Sequence, residues 1–142
     1  MRLDLLLPEE SPLARTCPLF LERVPCGFPS PAQDYVEADL DLNSHCVVHP
    51  AATFFFRVDG LSGEQPGMST GDILVVDRSL TPAHDDTIVA SVDGEFLIRK
   101  LHLHGRLSLR PLYGHGETLY PDPDALDIFG VVTHFVHSTR RR

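Results

Sequence analysis

The sequence predicts a mainly β protein: a small, curled, partly closed sheet preceded by a mobile N-terminal arm. Three observations carry this expectation. Twelve prolines and ten glycines are spread through 142 residues, and both residue types oppose long helices. Short runs rich in β-branched and aromatic side chains recur from residue 53 onward, as strands require. Turn signals separate those runs, which favours a sheet that curls on itself. With 42% hydrophobic and 23% charged residues, the chain reads as one globular domain with a short arm. A domain near this length hides about two-thirds of its unfolded surface.

Residues 1–31 hold six prolines and no sustained period of either 3.6 or 2. They read as the arm, and residues 32–142 as the β-rich domain. "YVEADLDLNSHCVV" accommodates one helical turn, opened by Asp41 or Asn43 as its cap. Strands are then expected at "TFFFRV" (53–58), "DILVVD" (72–77), "TIVASV" (87–92), "EFLIRKLHLH" (95–104), "LSLRPLY" (107–113) and "DIFGVVTHFV" (127–136). The Asp–Gly pair of "VDGEF" predicts a tight hairpin, and "LHGRL" marks another glycine turn. "GEQPGMSTGD" (63–72) is too polar for a core element and reads as a loop.

Composition also excludes functions. A net charge of −8 repels a phosphate backbone, so direct DNA binding is not expected. Three basic residues at the C-terminus read as a solvated tail. No stretch has the length and apolarity of a membrane span, and no secretory signal is visible. Cys17, Cys26 and Cys46 are odd in number and far apart, which fits reduced thiols and a cytoplasmic protein. His45, Cys46 and His49 lie close in sequence, as do His102 and His104. Neither group has the paired spacing of a structural zinc site, so no metal and no cofactor is expected. Alternation alone places His102 and His104 on one face of a strand.

One irregular stretch needs a reason. "VPCGFPSP" (24–31) sets Cys26 and Gly27 between prolines, so it is extended, unpaired and able to enter a cleft as an added strand. The segments "CGFPSPAQDYVE", "DLN", "HPAATFF", "GD-LVVD", "VDGEF", "KL" and "D-FGVV" occur in that order. The ordered series resembles the LexA/UmuD family of self-cleaving Ser–Lys peptidases, over roughly residues 18–138. In that family the folded domain cuts a Cys–Gly or Ala–Gly bond in its own arm. The resemblance therefore implies that Cys26–Gly27 is the scissile bond.

It also implies the machinery. The family's nucleophile turn reads "GLSG" here, Gly60 to Gly63, with Ser62 at the nucleophile position. Leu61 and Gly63 replace the aspartate and methionine of the family turn. The general base falls four residues beyond Glu95, where this chain has Arg99. A Ser–Lys dyad needs a neutral amine, and an arginine is in effect never deprotonated in a protein. Lys100 is the alternative base. Strand alternation puts it on the face opposite Arg99, so it reaches the cleft only through a bulge or a one-residue slip.

Two functional readings follow. The resemblance implies a regulatory subunit of an error-prone translesion polymerase in the SOS response, activated by cleavage at Cys26–Gly27. Its implied partners are a second copy of itself, the RecA filament on single-stranded DNA, the polymerase catalytic subunit, and an active relative able to cut in trans. The other reading is an active self-cleaving peptidase using Ser62 with Lys100. A plain β-barrel interaction module is the bland alternative. A repressor of the same family is excluded on length, since 26 residues before the scissile bond cannot hold a helix-turn-helix domain.

Overall fold

The computed structural model describes residues 2–8, 12–20, 36–59, 68–113 and 116–140. Among them nine strands occur: β1 (Arg2–Leu6), β2 (Thr16–Phe20), β3 (Val36–Asp41), β4 (Thr53–Asp59), β5 (Ile73–Asp77), β6 (Thr87–Val92), β7 (Glu95–His102), β8 (Ser108–Arg110) and β9 (Asp127–Val136). One short helix, α1 (Leu42–Cys46), and a 3-10 turn at Pro50–Ala52 complete the elements. The chain forms two units, one of Met1–Pro8 with His49–Arg142 and one of Glu9–Val48.

The larger unit is a seven-stranded sheet in the order β1-β4-β5-β9-β6-β7-β8. All its neighbouring strands are antiparallel. The sheet curls strongly. Phe56 of β4 and Phe96 of β7 have three strands between them in that order, yet their rings meet edge to face at 5.3 Å. Phe129 of β9 lies between them, 5.2 Å from Phe56 and 5.5 Å from Phe96. Inside the curl, Leu3, Phe56, Val58, Met68, Leu74, Val76, Val89, Ile98 and Val132 form the main core. A second cluster, Ile88, Ala90, Leu101, Leu109 and Val131, covers the opposite face. Burying each large side chain contributes about 1.5–3 kcal/mol. The two cores explain why "TIVASV" is apolar almost throughout: Val89 faces one and its neighbours Ile88 and Ala90 face the other.

The Asp–Gly hairpin forms as expected. Val92 pairs with Glu95, leaving a two-residue loop in which Asp93 (φ 51°) and Gly94 (φ 81°) are both left-handed. That is the backbone a twist-matched hairpin requires. Asp41 caps α1, accepting the Asn43 N–H at 3.2 Å and the Ser44 hydroxyl at 2.8 Å. Gly130 sits where β9 runs close beside the end of β5. A Cβ there would lie 2.8 Å from Val76 Cγ1 and 3.1 Å from the Asp77 carbonyl.

The N-terminal residues differ from the sequence expectation. Residues 2–6 are not unpaired: β1 forms an edge of the main sheet, in register with β4 from Arg2↔Asp59 to Leu6↔Phe55. Leu3 reaches the core. Residues 16–20 pair with β3 as a two-stranded sheet. Five-residue strands are too short to show a period, and Pro18 is tolerated because β2 has a free edge. The expected boundary near residue 31, and the stretch 24–31, lie outside the described residues. The strand expected at 107–113 is confined to Ser108–Arg110, because Pro111 cannot donate to the ladder.

Candidate active site

Strand β7 carries the two candidate bases, and its register decides where each points. It pairs with β6 from Val92↔Glu95 to Thr87↔Lys100 without a shift. Arg99 is opposite Ile88, whereas Lys100 is opposite Thr87 on one side and Arg110 of β8 on the other. Bulges do occur in this sheet, at Val75/Val76 and at Val89/Ala90, but both lie in the pairings with β9. Arg99 and Lys100 therefore point to opposite faces of the sheet.

Arg99 is half-buried, on the face of Ile88 and Leu101. Its Nη1 donates to the Ile98 carbonyl at 2.8 Å, while its Nε is buried without a hydrogen-bond partner. A buried donor left unmade costs about 1–3 kcal/mol. Burial lowers the guanidinium pKa, and the negative charge of Glu117 opposes that shift. The opposing carboxylate is the kind of counter-charge a retained guanidinium needs. Lys100 is also half-buried and stands beside the like charge of Arg110.

The other site residues named from the sequence, Ser62 with its neighbours Leu61 and Gly63, and the Cys26–Gly27 bond, lie outside the described residues. Their flanks are described. The Val58 N–H donates to the Asp72 carbonyl at 2.8 Å, and the Gly71 N–H donates to the Val58 carbonyl at 2.7 Å. Gly71 has φ 98°, and the Asp72 carboxylate receives the Ser69 N–H at 2.9 Å. These bonds bring residues 58 and 71–72 together. The Cys26–Gly27 bond falls in the connection between β2 and β3.

Two acidic residues inside the quoted motifs prove to be structural. Asp72 is buried and bonds His137 Nδ1 at 2.8 Å. Asp77 is buried and bonds His49 Nδ1 at 2.6 Å, with Ser79 donating both its N–H and its hydroxyl. Burial raises the Asp77 pKa, but the Ser79 and His49 hydrogen bonds outweigh it and the net shift is downward. Neither partnership was legible in the sequence, since the histidines lie 65 and 28 residues from their carboxylates.

Comparison with known proteins decides the family. The sequence profile of the Peptidase S24-like family matches residues 18–133. The chain belongs to that family. Among S24-like relatives, it is 49% identical to Protein SamA of Salmonella typhimurium over 136 residues, 96% of each chain. It is 52% identical to Protein ImpA of Escherichia coli over 125 residues, 87% of this chain and 85% of the relative. Protein MucA of Escherichia coli is 42% identical over 136 residues, 94% of this chain and 93% of its own. A LexA repressor from Syntrophobacter fumaroxidans is 33% identical over 90 residues, 63% of this chain and 44% of the repressor. The ordered motifs had pointed to this S24-like family. Among the described residues, no helix is long and apolar enough to cross a membrane.

Proposed function

We propose that this S24-like protein is a UmuD-like SOS mutagenesis factor, a regulatory subunit of an error-prone translesion polymerase rather than an efficient protease. Arrival of the RecA filament on single-stranded DNA stimulates cleavage of Cys26–Gly27, and the form beginning at Gly27 serves the polymerase. The protein works in the cytoplasm as a homodimer. The observation that carries the weakened-protease reading is the half-buried guanidinium of Arg99 on a strand whose pairing with β6 has no shift. Such a group cannot accept the proton of Ser62. A relative with an intact dyad, cutting in trans, then supplies the processed form.

The test is the N-terminus and mass of the protein recovered from DNA-damaged cells of its source. A species starting at Gly27 supports processing, and only full-length chain refutes it. Incubating the purified protein at alkaline pH addresses its own activity. High pH favours a neutral lysine and leaves arginine charged, so brisk self-cleavage would point to Lys100 as the base.

A further inference from the structure

Outside the candidate active site, three imidazoles and a carboxylate gather beside the end of β7. The loop before β6 is fastened there by backbone bonds: Asp85 N–H to the Leu101 carbonyl at 2.8 Å, and Leu101 N–H to the Asp86 carbonyl at 2.9 Å. This brings His84 to the histidines of "LHLH". Its ring lies 4.7 Å from that of His102, inclined at 63°, and is stacked on His104 at 3.6 Å and 9°. Asp85 Oδ2 stands 3.5 Å from His84 Nε2. One ligand atom from each of His84, Asp85 and His102 lies within 4.8 Å of the others. Asp85 holds a left-handed backbone, φ 68°, in a loop tied on both sides of it.

We propose that His84, Asp85 and His102 bind one divalent transition-metal ion of the class that favours imidazole with carboxylate, zinc above all. Two nitrogens and one oxygen are a known catalytic-type zinc donor set, which leaves a fourth position to water. Ligand atoms around zinc lie roughly 3.3 Å apart at bond lengths near 2.0–2.1 Å, so the cluster must contract. Asp85 allows this because its side chain is exposed. The inclined rings of His84 and His102 can direct lone pairs to one point. The parallel ring of His104 cannot, and it serves instead to cover one face of His84. The charge of Arg110 acts on His102 and repels a metal cation, and Asp85 offsets it.

The Leu103 N–H donates to His84 Nδ1 at 3.0 Å, so the ring proton sits on Nε2, towards Asp85. A metal at Nε2 takes the place of that proton, which moves to Nδ1. The Leu103 hydrogen bond then ends. Occupancy therefore has a second signature besides heat: the Leu103 amide becomes easier to exchange.

Calorimetric titration of the full-length protein with zinc chloride tests this. Saturable binding of one ion per chain is expected, reversed by a chelator and weakened at least tenfold by His102→Asn and by His84→Gln. The glutamine keeps an acceptor for Leu103. Asp85→Asn weakens binding too, and its exposed, left-handed position tolerates asparagine, so it reports even where a histidine variant fails to fold. His49→Asn and His137→Asn leave affinity unchanged. Zinc speeds hydrogen exchange at Leu103 in the parent chain and not in Asp85→Asn. No saturable binding at millimolar zinc, or undiminished binding by Asp85→Asn and His102→Asn, overturns the proposal.

Discussion

Replacing Arg99 by lysine should turn a poor self-cleaving chain into a measurably better one. Half-burial lowers the pKa of the guanidinium and Glu117 pulls it back up. Even so, an arginine is in effect never neutral at pH 8. A lysine starts near 10.4, and burial commonly brings such an amine down to about 8–9. At pH 8 roughly a tenth to a half of the molecules then carry a usable amine. The ceiling on the gain is on the order of a thousandfold, set by the gap between such an amine and a guanidinium. Leu61 and Gly63 still depart from the family turn, and a misplaced nucleophile costs rate steeply. The expected gain is therefore between about tenfold and a thousandfold. Removing the partnerless buried Nε relieves a cost of about 1–3 kcal/mol, and loss of the Nη1 bond to the Ile98 carbonyl offsets part of that gain. The assay is a time course of purified protein across pH 6–10, reading the Gly27 fragment by mass, with and without RecA filaments. Arg99→Lys should show a rate that climbs through the amine's pKa, and Ser62→Ala in that background should abolish it. Lys100→Ala should have little effect. Rapid cleavage by the natural chain, lost on Lys100→Ala and kept on Arg99→Ala, would falsify the assignment and make Lys100 the base.

Gly130→Ala should destabilise the fold by about 1–3 kcal/mol, an overpacking cost, because its Cβ meets Val76 at 2.8 Å and the Asp77 carbonyl at 3.1 Å. Thermal unfolding reads this as a fall of several degrees, and an unchanged midpoint would refute the close approach. The net downward shift at Asp77 means a carboxylate whose stabilisation is present above its unfolded pKa, near 3.8. That stabilisation is lost as pH falls through the lower folded value. Urea unfolding between pH 6 and 2 should show the decline, and Asp77→Asn should flatten it. Sedimentation at micromolar concentration should give about twice the 15.8 kDa chain mass, since Phe135 and Val136 at the end of β9 are exposed and a second copy would cover them. A clean monomer there counts against the dimer.

Strands β4, β5, β6, β7 and β9 were legible because each carries enough β-branched or aromatic residues to show its own pattern. The opposed faces of Arg99 and Lys100 followed from alternation alone, and the unshifted β6–β7 pairing has the same arrangement. β1 was not legible. "RLDLL" gains its meaning from β4, about fifty residues away, and nothing within five residues announces such a partner. The same holds for the histidine cluster: "LHLH" displays two rings, and His84 reaches them only through backbone bonds at Leu101 and Leu103. The acidic residues of the quoted segments were visible as residues but not as partners of His49 and His137. Local pattern reveals elements, whereas contacts between distant elements need the fold.

The edge position of β1 changes what cutting the arm accomplishes. Everything before Gly27 would become a separate peptide, and that peptide contains both β1 and β2. It would still be held twice, by the ladder from β1 to β4 and by the ladder from β2 to β3. While the chain is continuous, each strand meets its partner at an effective concentration on the order of millimolar. A nick ends that advantage for the fragment as a whole, yet leaves each ladder able to hold while the other opens. A two-stranded pairing is marginal by itself in water, so β1 with the buried Leu3 is the stronger grip. Severing the bond and shedding the peptide are then distinct events with distinct rates. Only the second bares the outer edge of β4, with its unpaired backbone groups, to another protein.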